Sequence, residues 1–172
     1  YDPVRPFSLI TLVTITPQIL VTNPSLPAAS VSELITFAKG KPGALNYASA
    51  GPGTSGHLAG ALLASMAGIN IVHVPYKSAP PVLNAVLSGE VQLAFAAAGS
   101  VAPHIKSGKL RALAVTSIQQ SALAPGLPTM ASVLPGYEAI TLFGIFAPAR
   151  TPTAIVNRLN QEIVKVLNQP EV

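Results

Sequence analysis

Asn46-Tyr47-Ala48-Ser49-Ala50-Gly51-Pro52-Gly53-Thr54-Ser55-Gly56-His57 is the stretch whose reading decides the fold. A short apolar strand over residues 45–49 runs into a glycine-rich turn. A helix over residues 55–66 follows at once, with Leu58, Leu62, Leu63 and Met66 on one face and Gly68 as its stop. The first turn of a helix leaves its N–H groups without intrahelical acceptors, and the helix dipole puts its positive end there. Those amides and the hydroxyls of Thr54 and Ser55 converge on one spot suited to an anion.

The same alternation continues outward. Residues 7–21 read as extended, β-branched segments broken at Pro17, and Ser30-Val31-Ser32-Glu33 is a capping box opening a helix to Lys39, closed by Gly40. Residues 71–74 are a short buried strand. Pro80 and Pro81 suit the first turn of a helix that stops at Ser88-Gly89. A strand over 91–95, a helical turn around 102–107 and a strand over 110–116 follow. Beyond a proline-rich connector come an apolar strand at 140–147 and a last helix, with Thr151 as N-cap and Pro152 at the first helical position. Its apolar face is Ile155, Leu159, Ile163, Val166 and Leu167. This order predicts an α/β fold: a mainly parallel, doubly wound sheet with helices on both faces. Ligands of such sheets sit beyond the carboxyl ends of the strands, so the loops at 50–55, 75–79 and 96–100 share one functional edge.

Composition removes several classes of function. With 49% hydrophobic and 9% charged residues, disorder is not expected. The longest early apolar run is interrupted at Pro17 and falls short of the roughly 18 residues of a spanning helix. Net charge is +4, but the basic residues are scattered singly without interleaved aromatics, which argues against nucleic acid. The absence of cysteine excludes disulfides and thiolate metal sites, and the three histidines lack metal-ligand spacing. The opening Tyr1-Asp2-Pro3 shows no basic and apolar leader, so the sequence reads as mature or as a piece of something longer.

Gly51-x-Gly53-x-x-Gly56 also satisfies a dinucleotide fingerprint. That fingerprint needs an acid about 20 residues on to hold a ribose, and no carboxylate occurs between Glu33 and Glu90. Carboxylate capture fits better: charge-assisted hydrogen bonds are worth about 1.5–3 kcal/mol each, so two or three supply about half of what a micromolar complex requires. His57 reads as a pocket histidine or as an ordinary capped one, His73 as a satisfied core histidine and His104 as surface. Tyr76 offers a ring wall and a hydroxyl donor beside Lys77. Ser55 and His57 diverge on a helix, no GxSxG elbow is present and no carboxylate pair exists, so no catalytic machinery is visible.

Several segments resemble one family. They are residues 45–51, Gly53-Thr54 with His57-Leu58-Ala59-Gly60, His73-Val74-Pro75-Tyr76-Lys77, residues 103–116, Pro128-Thr129, Pro135-Gly136-Tyr137-Glu138 and Ala147-Pro148-Ala149-Arg150-Thr151-Pro152. In order and spacing they resemble the extracytoplasmic solute receptors of tripartite tricarboxylate transporters, the Bug or TctC type. The resemblance implies a periplasmic, type II-like binding-protein lobe that closes on a small organic carboxylate and works with membrane transporter subunits, without catalysis or cofactor. Carried over residue by residue, ligand contact falls on Ser49, Ala50, Gly51, Gly53, Thr54, Ser55 and His57, with Tyr76 and Ala97 beside them. Where the family often has Asp-Asn after the equivalent of Phe95, this chain has Ala96-Ala97-Ala98, which tilts the ligand toward an unsubstituted or aromatic acid. Ser78 replaces a usual glycine.

Family members are about twice as long. By that resemblance residues 1–22 are a crossover from a first lobe, 23–139 the ligand-binding second lobe, and 140–172 a return strand and helix belonging to the first lobe. The exposed apolar faces of the flanking segments are then expected to be covered by another chain, through a homodimer or a swapped assembly. Two readings from other classes stay open: a nucleotide-binding Rossmann-like enzyme fragment and an effector-sensing lobe of a regulatory protein.

Overall fold

The computed structural model describes residues 5–169, and they divide into two compact units. The larger is Pro17–Ile140; the smaller takes the described residues on either side of it. The strand β1 (Phe7–Thr22) runs from the smaller unit into the larger without interruption. The break expected at Pro17 does not occur. Pairing of β1 with β4 (Leu93–Ala97) begins at Gln18, so the missing N–H of Pro17 falls just before that ladder starts.

The larger unit is built on β2 (Leu45–Ser49), β3 (Ile71–Pro75), β4, β1 and β5 (Arg111–Val115), in the spatial order β3-β2-β4-β1-β5. β2 is parallel to both β3 and β4, whereas β1 is antiparallel to β4 and to β5. The mainly parallel sheet therefore carries one antiparallel strand in its middle. Alternate residues feed two cores. Leu20, Tyr47, Leu93 and Phe95 pack on one face with α1 (Val31–Gly40) and α2 (Ser55–Ala67). Ile19, Val21, Ala48 and Ala94 pack on the other with α3 (Ala79–Ser88) and α4 (Ala98–Lys106). That is the doubly wound arrangement, set by the period of two along each strand.

Local signals account for most element ends. Ser30 Oγ accepts the Glu33 N–H, and the Glu33 carboxylate accepts the N–H of Ala29, a capping box displaced by one residue. Gly40 remains helical and Lys41 is the C-cap, so the expected stop at Gly40 comes one residue late. α2 and α3 end on Gly68 and Gly89 in the left-handed region. β3 lies at the sheet edge rather than buried, with Val72 44% exposed. α4 starts at Ala98, four residues before the expected turn, and holds Pro103 within it.

The largest correction concerns α2. Its buried stripe is Gly56, Ala59, Gly60, Leu63 and Ala67, while Leu58 and Met66 are exposed. Small residues win because the helix lies tightly against the sheet. A β-carbon on Gly60 would collide with the Tyr47 ring, and one on Gly56 would come within 3.2 Å of the Phe95 carbonyl.

In the smaller unit β6 (Ile140–Pro148) pairs with β1, and Phe7 meets Phe146 edge-on at 6.3 Å. α5 (Thr153–Leu167) has Pro152, not Thr151, at its N-cap, without a side-chain cap bond. The expected stripe of Ile155, Leu159, Ile163, Val166 and Leu167 forms but has no buried residue. With Leu12, Leu142 and Phe143 also exposed, the unit presents much apolar surface. No helix among the described residues is long and apolar enough to cross a membrane.

Gly60→Ala is expected to destabilise the fold by about 1–3 kcal/mol, because overpacking at Tyr47 outweighs the helix-propensity gain. Gly99→Ala, where an added β-carbon meets nothing within 4 Å, is expected to be neutral or stabilising by up to about 1 kcal/mol. Urea titration of both variants checks the contrast in sign.

Candidate functional site

Because β2, β3 and β4 are parallel, Ser49, Pro75 and Ala97 end at one edge. The loop from Ala50 to Thr54 leads from that edge into α2. Its path needs glycine at two positions: Gly51 has φ +128° and Gly53 φ +79°. The Tyr76 N–H donates to the Ser49 carbonyl at 2.8 Å, which ties the β3 exit to the β2 exit. Ala97, exposed at the end of β4, is the N-cap of α4.

Inside the loop the hydroxyls divide into braces and a free donor. Thr54 Oγ1 donates to the Gly51 carbonyl at 2.7 Å. Ser49, only 2% exposed, lies 3.0 Å from the same carbonyl, accepts the Gly51 N–H at 3.2 Å and meets His73 Nε2 at 2.7 Å. One proton assignment satisfies all three contacts: Ser49 donates to Gly51 O and accepts from the His73 Nε2–H. The Thr54 hydroxyl, read from the sequence as a ligand donor, is therefore spent on the turn.

Ser55 differs. It opens α2, is half-buried, and its Oγ is met by Gln18 Nε2 at 2.7 Å. The first intrahelical bond of α2 is Leu58 N–H to Thr54 O, at 3.0 Å. The amides of Ser55, Gly56 and His57 stand ahead of it, at the positive end of the dipole. A concavity of about 410 Å³ adjoins Ser55, lined also by Leu58, Leu62, Glu138, Ala139 and Ile140. Its walls are apolar at Leu58, Leu62, Ala139 and Ile140 and polar at Ser55 and at the Glu138 carboxylate, a mixed lining that suits a small organic molecule better than a bare inorganic ion.

The histidines cluster. His57 Nδ1 accepts the Gly53 N–H at 3.2 Å, its ring centre is 4.3 Å from that of His73, and His73 lies 4.9 Å from Tyr47. Burial, and then the charge His57 would carry, push the His73 pKa below the ordinary histidine value. His73 is thus satisfied by Ser49, as expected, but is half-buried within this cluster rather than in the core. His104 lies apart, lining a second concavity with Asn84 and Lys109. The Tyr76 hydroxyl donates to Glu90 at 3.0 Å instead of standing free, and burial followed by that carboxylate raises its pKa.

Ser49 and His73 have the spacing of a nucleophile and base, but Ser49 is buried and its proton is held by the turn. Among the described residues no group of His, Cys, Asp or Glu is placed to hold a metal ion. Gln18 was missed in the sequence. The signal available for it was one amide side chain directly after Pro17 in an otherwise apolar and β-branched run.

The profile of the tripartite tricarboxylate transporter family receptor matches residues 1–172. The chain belongs to that family. A Pseudomonas sp. protein encoded in the tcbD-tcbE intergenic region is 38% identical over 174 residues, which is all of this chain and 52% of that protein. Among solved structures, an R. palustris protein with adipate is 35% identical with a TM-score of 0.90, over 99% of this chain and 57% of that one. The periplasmic binding protein BugD is 31% identical with a TM-score of 0.87, over the same shares. The chain thus spans about half the length of the curated relative and little more of the solved ones. The likeness to both solved proteins covers β1 and α5 as well as the larger unit.

The His73 environment predicts a pH dependence of stability. A lowered folded pKa means the unfolded state binds the proton more readily, so stability is full at neutral pH and falls as pH drops below about 6.5. Urea midpoints measured between neutral and mildly acidic pH are expected to decline, and His73→Gln is expected to flatten the profile.

Proposed function

We propose that this chain is the carboxylate-holding part of a periplasmic solute receptor for a tripartite tricarboxylate-type uptake system. One observation carries the reading: the amides of Ser55, Gly56 and His57 stand ahead of the first hydrogen bond of α2, beside the Ser55 hydroxyl, and Ser55 lines a largely apolar concavity that also holds Glu138. A carboxylate there receives charge-assisted hydrogen bonds and the helix dipole at once. The 35%-identical relative solved with adipate supports an organic acid as the ligand.

In this reading Ser55 and the α2 amides bind the ligand directly. Ser49, Gly51, Gly53 and Thr54 hold the loop in shape, Leu58, Leu62, Glu138, Ala139 and Ile140 form the wall, and Ala50, His57, Tyr76 and Ala97 lie around the loop at the same sheet edge. No covalent step and no cofactor is invoked. Residues 1–22 and 140–172 act as crossover segments of a first lobe, and the apolar surface of β1, β6 and α5 is covered by further polypeptide or by a second copy. The receptor delivers its ligand to membrane subunits of the transporter.

A thermal-shift panel of mono- and dicarboxylates run against NAD and ATP tests the proposal. Stabilisation by at least one carboxylate and by neither nucleotide is expected; the reverse result sinks the carboxylate reading and revives the nucleotide one. Ser55→Ala is expected to weaken the best acid about tenfold or more, the loss of one charge-assisted bond. Unchanged affinity in that variant would show that the hydroxyl is structural.

A further inference from the structure

Gln18 stands on β1 opposite Ala97 of β4, level with the functional edge. Its backbone is clamped by Thr116: Gln18 N–H donates to Thr116 Oγ1 at 2.7 Å, and Gln18 O accepts the Thr116 N–H at 2.9 Å. The side chain is 8% exposed. Its Nε2 reaches Ser55 Oγ at 2.7 Å, while its Oε1 is buried with no hydrogen-bond partner among the described residues.

A buried amide oxygen without a partner forfeits its hydration and gains nothing in return. Leucine or methionine would fill similar space without that loss. The amide is therefore poorly explained as a packing element and better explained by what its N–H does at Ser55. A serine hydroxyl has one proton and two lone pairs. With the Gln18 N–H occupying a lone pair, the proton of Ser55 is free for another acceptor, and Ser55 lines the concavity at the start of α2, whose other polar lining residue is Glu138. A second buried oxygen without a partner among the described residues, Thr22 Oγ1, sits at the far end of the same strand, beside Leu93 and Arg111.

We propose that Gln18 is a positioning residue for ligand binding, whose amide N–H fixes the Ser55 hydroxyl as a donor to the ligand's carboxylate. This rests on the carboxylate-receptor reading above. If the amide were turned over, Oε1 would take the Ser55 proton, leaving that hydroxyl to oppose an anion rather than hold it. Gln18→Glu reproduces that state on purpose, since a carboxylate only accepts and adds a like charge beside the ligand.

The test is an NMR titration of the full chain with adipate, read at the backbone amides of Ser55, Gly56 and His57, beside a urea titration of each variant. Wild type is expected to show saturable shifts. Gln18→Met and Gln18→Leu are expected to keep or raise the urea midpoint while weakening adipate about tenfold or more. Gln18→Glu is expected to abolish binding at neutral pH. Variants that bind as wild type does would overturn the role of Gln18 and leave the receptor reading standing. Affinity losses that merely track lost stability would overturn it as well, since they mark a packing role. Absence of saturable shifts in wild type, with adipate and with the carboxylates of the thermal-shift panel, overturns the receptor reading and this role together.

Discussion

The seating of α2 on Tyr47 is the contact on which the site depends. Gly60 has no side chain because the Tyr47 ring occupies the space, and Gly56 lets the helix start come down beside the Phe95 carbonyl. With Ala59 and Ala67 as the other small residues of its buried stripe, the helix drops onto the sheet at close range. This approach places the first turn of α2 over the exits of β2 and β4. A bulkier stripe would lift the helix and carry its amides away from the edge. Tyr137, fully buried, locks the same helix from outside through a 2.8 Å bond to the Ala59 carbonyl.

Once the helix is seated, the polar groups of the loop sort by what the turn requires. The Gly51 carbonyl takes the protons of both Ser49 and Thr54, and Gly53 gives its N–H to His57. These bonds stay within the loop, and together they hold a backbone that two positive-φ glycines make accessible. What is left over is Ser55 and the opening amides of the helix. A rigid turn with a few unspent donors loses little freedom when a ligand arrives, which is how a small polar surface gains affinity. The contrast between Thr54 and Ser55, neighbours of similar chemistry and different roles, follows from geometry alone.

The sequence made much of the larger unit legible. The Ser30–Glu33 box, the glycines after α2 and α3, and the strand at 45–49 announced themselves through local chemistry, since caps and turns depend on a few adjacent residues. Failures occurred where a distant neighbour decided. Pro17 sits inside a strand because the ladder with β4 begins only at Gln18 and asks for no donor there. Of the apolar face expected for α2, Leu63 is buried while Leu58 and Met66 are exposed, because close packing against Tyr47 favours glycine and alanine along the rest of the buried stripe. The apolar stripe of α5 was read correctly as a stripe, but its exposure was not in the pattern.

The glycine-rich passage from Asn46 to His57, by itself, determined that a strand would hand over to a helix through a tight turn with donors at the junction. Backbone conformation and capping are local properties, and twelve residues are enough to state them. Tertiary structure alone decided which donors remain available. Ser49 is drawn inward by His73 from β3, Tyr76 is tied to Glu90, and Ser55 is held by Gln18 from β1. A hydrogen bond between strands far apart in the chain leaves no trace in either segment read separately.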